Sequence, residues 1–239
     1  MYNQNITPTP APVEKVLKIG SDIAYAPFEF IDDKQVPTGF DIELIQALGK
    51  DMGYTKVDIA TAAFDGLIPA LQNGNYDAVI SAMTITEDRA KGVLFSDKYF
   101  LSGQYIAMKK GANFKTLDDL KGKRIGVQLN TTGQYAVEGK GLETKKYDTT
   151  PDAMNSLLTG GVDAVVADSP VVLWFQAQNS AAQIESVDAD SGKEFYGIAM
   201  KLGNKELADK MNASLKKLME NGKYNEIYKK WFKADAPKF

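Results

Sequence analysis

A chain of 239 residues with no cysteine and no histidine is expected to contain no disulfide, no Cys/His zinc site, no thiolate nucleophile and no Ser-His-Asp arrangement. Its formal charge is -3, with acids and bases mixed along the sequence, so it lacks the basic stripe that a nucleic-acid partner requires. No apolar run reaches the roughly 18 residues needed to span a bilayer, and the length suits one large or two small domains.

The opening MYNQNITPTPAPVEK has neither a basic n-region nor an apolar h-region, so it does not read as an intact signal peptide. Residues 1–15 read instead as a flexible tether, as would remain on an exported protein after its signal is removed. From Val16 strand-like and helix-like segments alternate. KVLKIGSD is a predicted strand. GFDIELIQALGKDMG carries Phe40, Leu44, Leu48 and Met52 four apart, with Ile45 widening the stripe, and stops at Gly53. KVDIATAA is a second strand, and DGLIPALQNG a short helix capped by Asp65 with Gly74 at its exit. YDAVISAMTITEDRA then starts as a strand buried on both faces and turns abruptly polar at Ser81, with a helix starting at TEDRA.

A second series begins after YFLSGQYIAMKKG. A strand at Arg124 to Gln128 follows KTLDDLKGK, LNTTG opens a helix, TPDAMNSLLTGG is another, and Ala164 to Ala167 is a strand. EFYGIAMK is strand-like, and two amphipathic helices follow, separated around Gly222. TGGVDAVVAD repeats the approach of NGNYDAVISA without a gap at a separation of about 86 residues, which places Asp168 at the position of Ala82. Strand-helix alternation implies parallel sheets covered by helices. The expected organisation is two α/β lobes, each a mostly parallel sheet flanked by helices, one formed by residues 16–100 and 197–239 and the other by 104–193, with crossings near 99–103 and 193–197.

Open α/β sheets bind ligands beyond the carboxyl ends of their strands. Those positions hold Ser21 and Asp22, Phe64, Ser81-Ala82-Met83-Thr84, Gln128 to Thr132, and Asp168. Arg89 can reach back over a strand end and grip a carboxylate through paired hydrogen bonds, or it can be an exposed arginine paired with Glu87 or Asp88. Asp168 can equally be a helix N-cap. Together they supply a cation for a carboxylate and an anion for an ammonium, as the main chain of an α-amino acid requires. Tyr25 and Phe64 can sandwich a side chain with Asp22 at the far end of the slot, while Phe28 and Phe30 read as core. The hydroxyls and N–H groups of LNTTG, including Thr131 and Thr132, suit a carboxylate, or form a plain capping turn. No nucleophile and base stand together, and no metal or other cofactor is expected.

The motifs AYAPFEF, GFDIELI, FDGLIPALQNGNYDAVISAMTITEDRA, FSDKYF, LKGKRIGVQLNTTG and NGKYNEIYKKWF resemble, in order and over residues 16–233, the amino-acid-binding proteins of bacterial ABC importers of the glutamine and lysine/arginine/ornithine type. The resemblance implies a periplasmic-binding-protein fold with two hinge strands, hinge closure on a free L-amino acid, delivery to an ABC permease, and no catalysis. It implies an exported, monomeric protein in the periplasm or at the cell surface, with a lipid anchor left open. Carried over residue by residue, Arg89 and Thr132 hold the ligand carboxylate and Asp168 its ammonium. Thr84 serves both ends, and the Ala82 backbone accepts from the ammonium. Asp22 reaches the side chain between Tyr25 and Phe64. Gln128 and Ala167 replace the lysine and histidine of the glutamine binder, which argues against strict glutamine selectivity. Asn130 stands where glycine is common, with no account from sequence. Asp22 without a neighbouring lysine favours arginine, then glutamine. Two alternatives are a cyclohexadienyl dehydratase-like enzyme on the same fold, with Asp22, Glu29 or Asp168 as acid, and the ligand-binding domain of a receptor.

Overall fold

The computed structural model describes residues 14–238; the expected tether lies outside them except for its last two residues. The elements in chain order are β1 (Val16–Ser21), β2 (Phe30–Ile31), β3 (Pro37–Thr38), α1 (Phe40–Asp51), β4 (Lys56–Thr61), α2 (Phe64–Gln72), β5 (Ala78–Val79), α3 (Glu87–Ala90) and β6 (Val93–Phe95). Next come β7 (Phe100–Ser102), β8 (Gln104–Lys109), β9 (Ile125–Gln128), α4 (Thr132–Glu138), β10 (Thr144–Tyr147), α5 (Thr150–Thr159), β11 (Ala164–Asp168) and α6 (Ser169–Gln178). The chain finishes with β12 (Ile184–Asp188), β13 (Glu194–Tyr196), β14 (Ala199–Lys201), α7 (Lys205–Glu220) and α8 (Lys223–Phe232).

Two five-stranded sheets result, ordered β4-β1-β5-β14-β6 and β10-β9-β11-β8-β12, and the antiparallel pair β7-β13 connects them. In each sheet the strands joined through helices run parallel, as β1 does to β4 and β5, and β9 to β10 and β11. Each sheet is thus mostly parallel, as expected, with one strand reversed. β14 is antiparallel to β5 and β6, and β8 to β11 and β12. Each of these two strands follows a connecting strand directly, with no crossover helix to restore the parallel direction.

The apolar stripe of α1 buries Phe40, Leu44, Ile45 and Leu48 against the first sheet. A ring cluster of Phe28, Phe40, Phe100, Tyr196 and Phe232 extends that core to the connecting strands. The second lobe packs on both faces of its sheet, around Ile106, Val127 and Val166 on one side and Met154, Leu157 and Val165 on the other. Burying each of these side chains contributes about 1.5–3 kcal/mol. α2 departs from expectation at its start: Phe64 is its first residue, Ala63 its N-cap, and Asp65 lies in the first turn, where a carboxylate meets the helix dipole.

Candidate functional site

The carboxyl ends of β1, β9 and β11 release Asp22, Gln128 and Asp168 toward the space between the lobes. A cavity there is lined by Asp22, Tyr25, Phe64, Ser81, Ala82, Thr84, Arg89, Gln128, Thr131, Thr132 and Asp168. Met83 is excluded. It is 1% exposed and packs among Leu67, Leu71, Val79 and Val93. The chain reverses at Ala82, whose φ of 43° lies in the left-handed region.

Arg89 belongs to a single turn, not to a helix of any length. Thr86 caps that turn and accepts from the Arg89 amide at 3.2 Å. The guanidinium donates from Nη1 to the Thr84 carbonyl at 2.8 Å and from Nη2 to the Asn130 carbonyl at 2.9 Å, and lies 5.2 Å from the centre of the Phe64 ring. Burial lowers its pKa, but a guanidinium stays charged. Neither Glu87 nor Asp88 holds it; Asp88 pairs with Lys91. Asn130 has φ 60°, a conformation that glycine adopts freely and asparagine tolerates best among the rest. Its side chain thus permits the turn that turns its carbonyl to Arg89.

Asp168 is 5% exposed. Its Oδ1 accepts from Gln104 Nε2 at 2.5 Å and its Oδ2 from the Tyr196 hydroxyl. It makes no side-chain capping bond to α6. Burial, then the charge of Glu194, raises its pKa to about 6. Asp22 is likewise raised to about 6, chiefly by burial, with its hydrogen bond to Gln128 opposing the shift. Gln128 donates from Nε2 to Asp22 Oδ2 at 2.7 Å and to the Asp148 carbonyl at 3.0 Å, and its Oε1 accepts from Thr150 at 2.9 Å. Its amide is therefore pinned with the NH₂ group toward Asp22.

The hydroxyls of the first loop and of α4 have different duties. Ser81 donates to Glu29 Oε1 at 2.8 Å and accepts from the Asp22 amide at 3.0 Å, so its hydroxyl is committed to the wall. Thr131 donates to the Gln128 carbonyl at 2.8 Å and caps α4 by accepting from Gln134 N at 3.3 Å. Thr84 and Thr132, 3.5 Å apart, both donate to Glu194 Oε2, at 2.8 and 2.7 Å. Gly133 lets α4 approach this closely, since a Cβ there would sit 2.8 Å from Gln104 Oε1 and 3.0 Å from the Val166 carbonyl.

Glu194, Gln104 and Tyr196 were not singled out in the sequence. Gln104 Nε2 bridges Asp168, Glu194 Oε1 at 3.1 Å and Thr132 Oγ1 at 3.2 Å. A signal was present: all three lie within or one residue beyond the expected crossings, and residues where the chain passes between lobes form the floor of the cleft. Among the described residues no group of His, Cys, Asp or Glu is placed to hold a metal ion, and no helix is long and apolar enough to cross a membrane.

Comparison with known proteins agrees with this architecture. The L-arginine-binding protein of Pseudomonas aeruginosa is 36% identical over 234 residues, covering 93% of this chain and 90% of its own. An ancestral arginine-binding protein solved bound to glutamine is 44% identical with a TM-score of 0.88, covering 92% of this chain and 98% of that one. The arginine-, lysine-, histidine-binding protein ArtJ of Geobacillus stearothermophilus gives 39% identity and a TM-score of 0.89, over 94% of this chain and 97% of its own. Residues 17–234 match the bacterial extracellular solute-binding proteins, family 3, and the chain belongs to that family.

Proposed function

We propose that the protein captures a polar L-α-amino acid, arginine first and glutamine second, between its lobes and presents it to an ABC importer without chemical change. The observation that carries this reading is that Arg89 and Asp168, on opposite lobes, line one cavity together with Asp22. Arg89 has N–H donors beyond the two spent on carbonyls, enough to receive a ligand carboxylate. Asp168 and Asp22 supply acceptors for an ammonium and for a side chain. Asp22 and Asp168 against Arg89 make the lining net negative, and Glu194, behind Thr84 and Thr132, adds to it, which favours a ligand of net charge +1 over a neutral one. The names of the relatives support the same substrate class. Titration calorimetry against the standard amino acids tests it. L-arginine and L-glutamine should bind and prephenate should be returned intact; prephenate turnover, or no binding of any amino acid, would overturn it.

The pH dependence separates the two ligands. A cation beside a carboxylate favours its ionised form. Binding therefore releases protons, and affinity falls as pH drops through about 6, where Asp22 and Asp168 titrate in the empty cleft. Arginine engages both carboxylates with positive charge, glutamine only Asp168. From about pH 7 to about pH 5, arginine should weaken by up to roughly two powers of ten and glutamine by up to roughly one. Matching profiles for the two ligands would remove the charge contact at Asp22.

Closure follows from the same placement. Arg89 to Asn130, Gln128 to Asp22, and the two threonines on Glu194 join one lobe to the other. A ligand held by Arg89 and Asp168 adds bonds that exist only when the lobes meet, so binding drives closure about β7 and β13. Distance labels on the two lobes should move closer on saturation with L-arginine, and move less in Asp168→Ala. No change in the native protein would refute the hinge.

A further inference from the structure

Behind the loop that lines the cavity lie two carboxyl groups that no ligand contact explains. Glu29, ahead of β2, and Asp41, in the first turn of α1, are both 0% exposed. Ser81 Oγ donates to Glu29 Oε1 at 2.8 Å, while the Ala82 amide and the Tyr99 hydroxyl both donate to Asp41 Oδ2 at 2.7 Å. The other oxygens, Glu29 Oε2 and Asp41 Oδ1, are buried without a donor among the described residues. The Asp41 amide donates to the carbonyl of Phe28, next to Glu29, at 2.9 Å, and the two carboxyls take their bonds from the consecutive residues Ser81 and Ala82, so they lie side by side. Side by side in a dry site they cannot both be ionised without compensation, and one proton between Oε2 and Oδ1 satisfies both orphaned atoms.

We propose that Glu29 and Asp41 share a single proton at neutral pH, with Glu29 as the acid and Asp41 as the carboxylate, and that this pair holds Ala82 in its left-handed conformation at the cavity wall. The donor count assigns the charge: Asp41 receives two hydrogen bonds from its surroundings and Glu29 one. Residues with a β-carbon avoid the φ of 43° found at Ala82, so something must fix it, and the Asp41 bond to its amide is the contact that does. The groups facing the pair are Asp22 and Ser81 on the cavity side, Tyr25 beside Glu29, and Tyr99 and Tyr224 around Asp41. Among the described residues no basic group is among the main influences on either carboxyl. Burial and mutual repulsion push Glu29 well above the usual carboxylate range, and burial raises Asp41 to about 6. Glu29 and Asp41 are positioning residues, since they act on the ligand only through the wall residues Ser81 and Ala82.

An acid with a raised pKa in the folded state binds its proton more tightly there than in the unfolded chain. The pair's contribution to stability is therefore greatest below the unfolded carboxylate pKa and declines as pH rises, by up to about tenfold in the folding constant per pH unit for each proton released. Two measurements on the ligand-free full chain need no assumption about the substrate. Infrared spectra of the folded protein at about pH 8 should show the carbonyl stretch of a protonated carboxylic acid, and Glu29→Gln should lack it. Glu29→Gln, whose amide can donate to Asp41, should also lose part of the decline in stability with rising pH seen in the native protein. No protonated-carboxyl band in the native protein, or an identical stability profile in Glu29→Gln, would overturn the shared proton. The binding arm rests on the amino-acid reading and uses L-arginine as probe. Asp41→Ala, folded by circular dichroism, should bind about tenfold more weakly, and adding Ala82→Gly should recover part of the loss because glycine adopts positive φ without a clash. Native affinity in folded Asp41→Ala would overturn the positioning role. If Asp41→Ala does not fold, the infrared and stability arms decide the proposal.

Discussion

Arg89→Ala is expected to weaken L-arginine and L-glutamine alike by roughly two to three and a half powers of ten, and Asp168→Ala to do the same. Each change removes one partner from a charge pair that is desolvated once ligand fills the cleft, a loss worth about 3 to 5 kcal/mol. In Arg89→Ala the lining keeps Asp22 and Asp168 with no cation among them, and Glu194 stays behind it, so a ligand carboxylate meets repulsion where it met a guanidinium. Arg89→Lys should recover little. The guanidinium is held by two carbonyls in a fixed fork, Thr84 on its own lobe and Asn130 on the other, and an ammonium cannot span both while presenting further donors to a carboxylate. In Asp168→Ala, Gln104 and Tyr196 lose their acceptor as well as the ligand, so part of the loss reflects orphaned floor residues. Asp168→Asn, which keeps an acceptor for one of them, should therefore be milder. Titration calorimetry measures each. A loss under about threefold for Arg89→Ala or Asp168→Ala would return that residue to a surface or capping role.

What sequence alone conveyed here follows the range of the forces involved. Helix stripes such as Phe40, Leu44 and Leu48, and the buried runs Ala78-Val79 and Ala164 to Ala167, are local patterns and were readable. Strand direction is not local. Nothing in QYIAMK or AMK marks β8 and β14 as antiparallel, because direction depends on how the chain re-enters a sheet from the other lobe. The site divides along the same line. Asp22, Arg89 and Asp168 stand at strand ends or beside turn residues and carry unusual charge for their place, whereas Glu194 looks like one more exposed acid until β13 is known to cross the floor of the cleft. Met83 is expected with the whole run Ser81 to Thr84 beyond the strand end, but just past Ala82, where the backbone leaves the extended region, its side chain packs into the core. An alanine gives no hint of positive φ, and the buried carboxyl pair that fixes it comes from two segments that only the fold brings together.

Asp22→Asn should convert a site that prefers arginine into one that does not discriminate. The substitution keeps an oxygen able to accept from Gln128, whose amide Asp148 and Thr150 pin in place, so the geometry of the slot changes little. What disappears is charge. A guanidinium taken out of water beside Asp22 loses the carboxylate that contacts it, and arginine should weaken by roughly two powers of ten or more. Glutamine brings an amide that can donate to an asparagine oxygen as to a carboxylate, so its affinity should move by less than about threefold. The pH profile provides an internal check. With Asp22 gone as a titrating group, the extra steepness of the arginine curve below about pH 6 should vanish and the two ligands should follow the single titration of Asp168. Equal losses for both ligands would mean that Asp22 shapes the cavity without reading the side chain. Unchanged arginine affinity would mean that the guanidinium points elsewhere, and the net negative lining would then act only as a diffuse field.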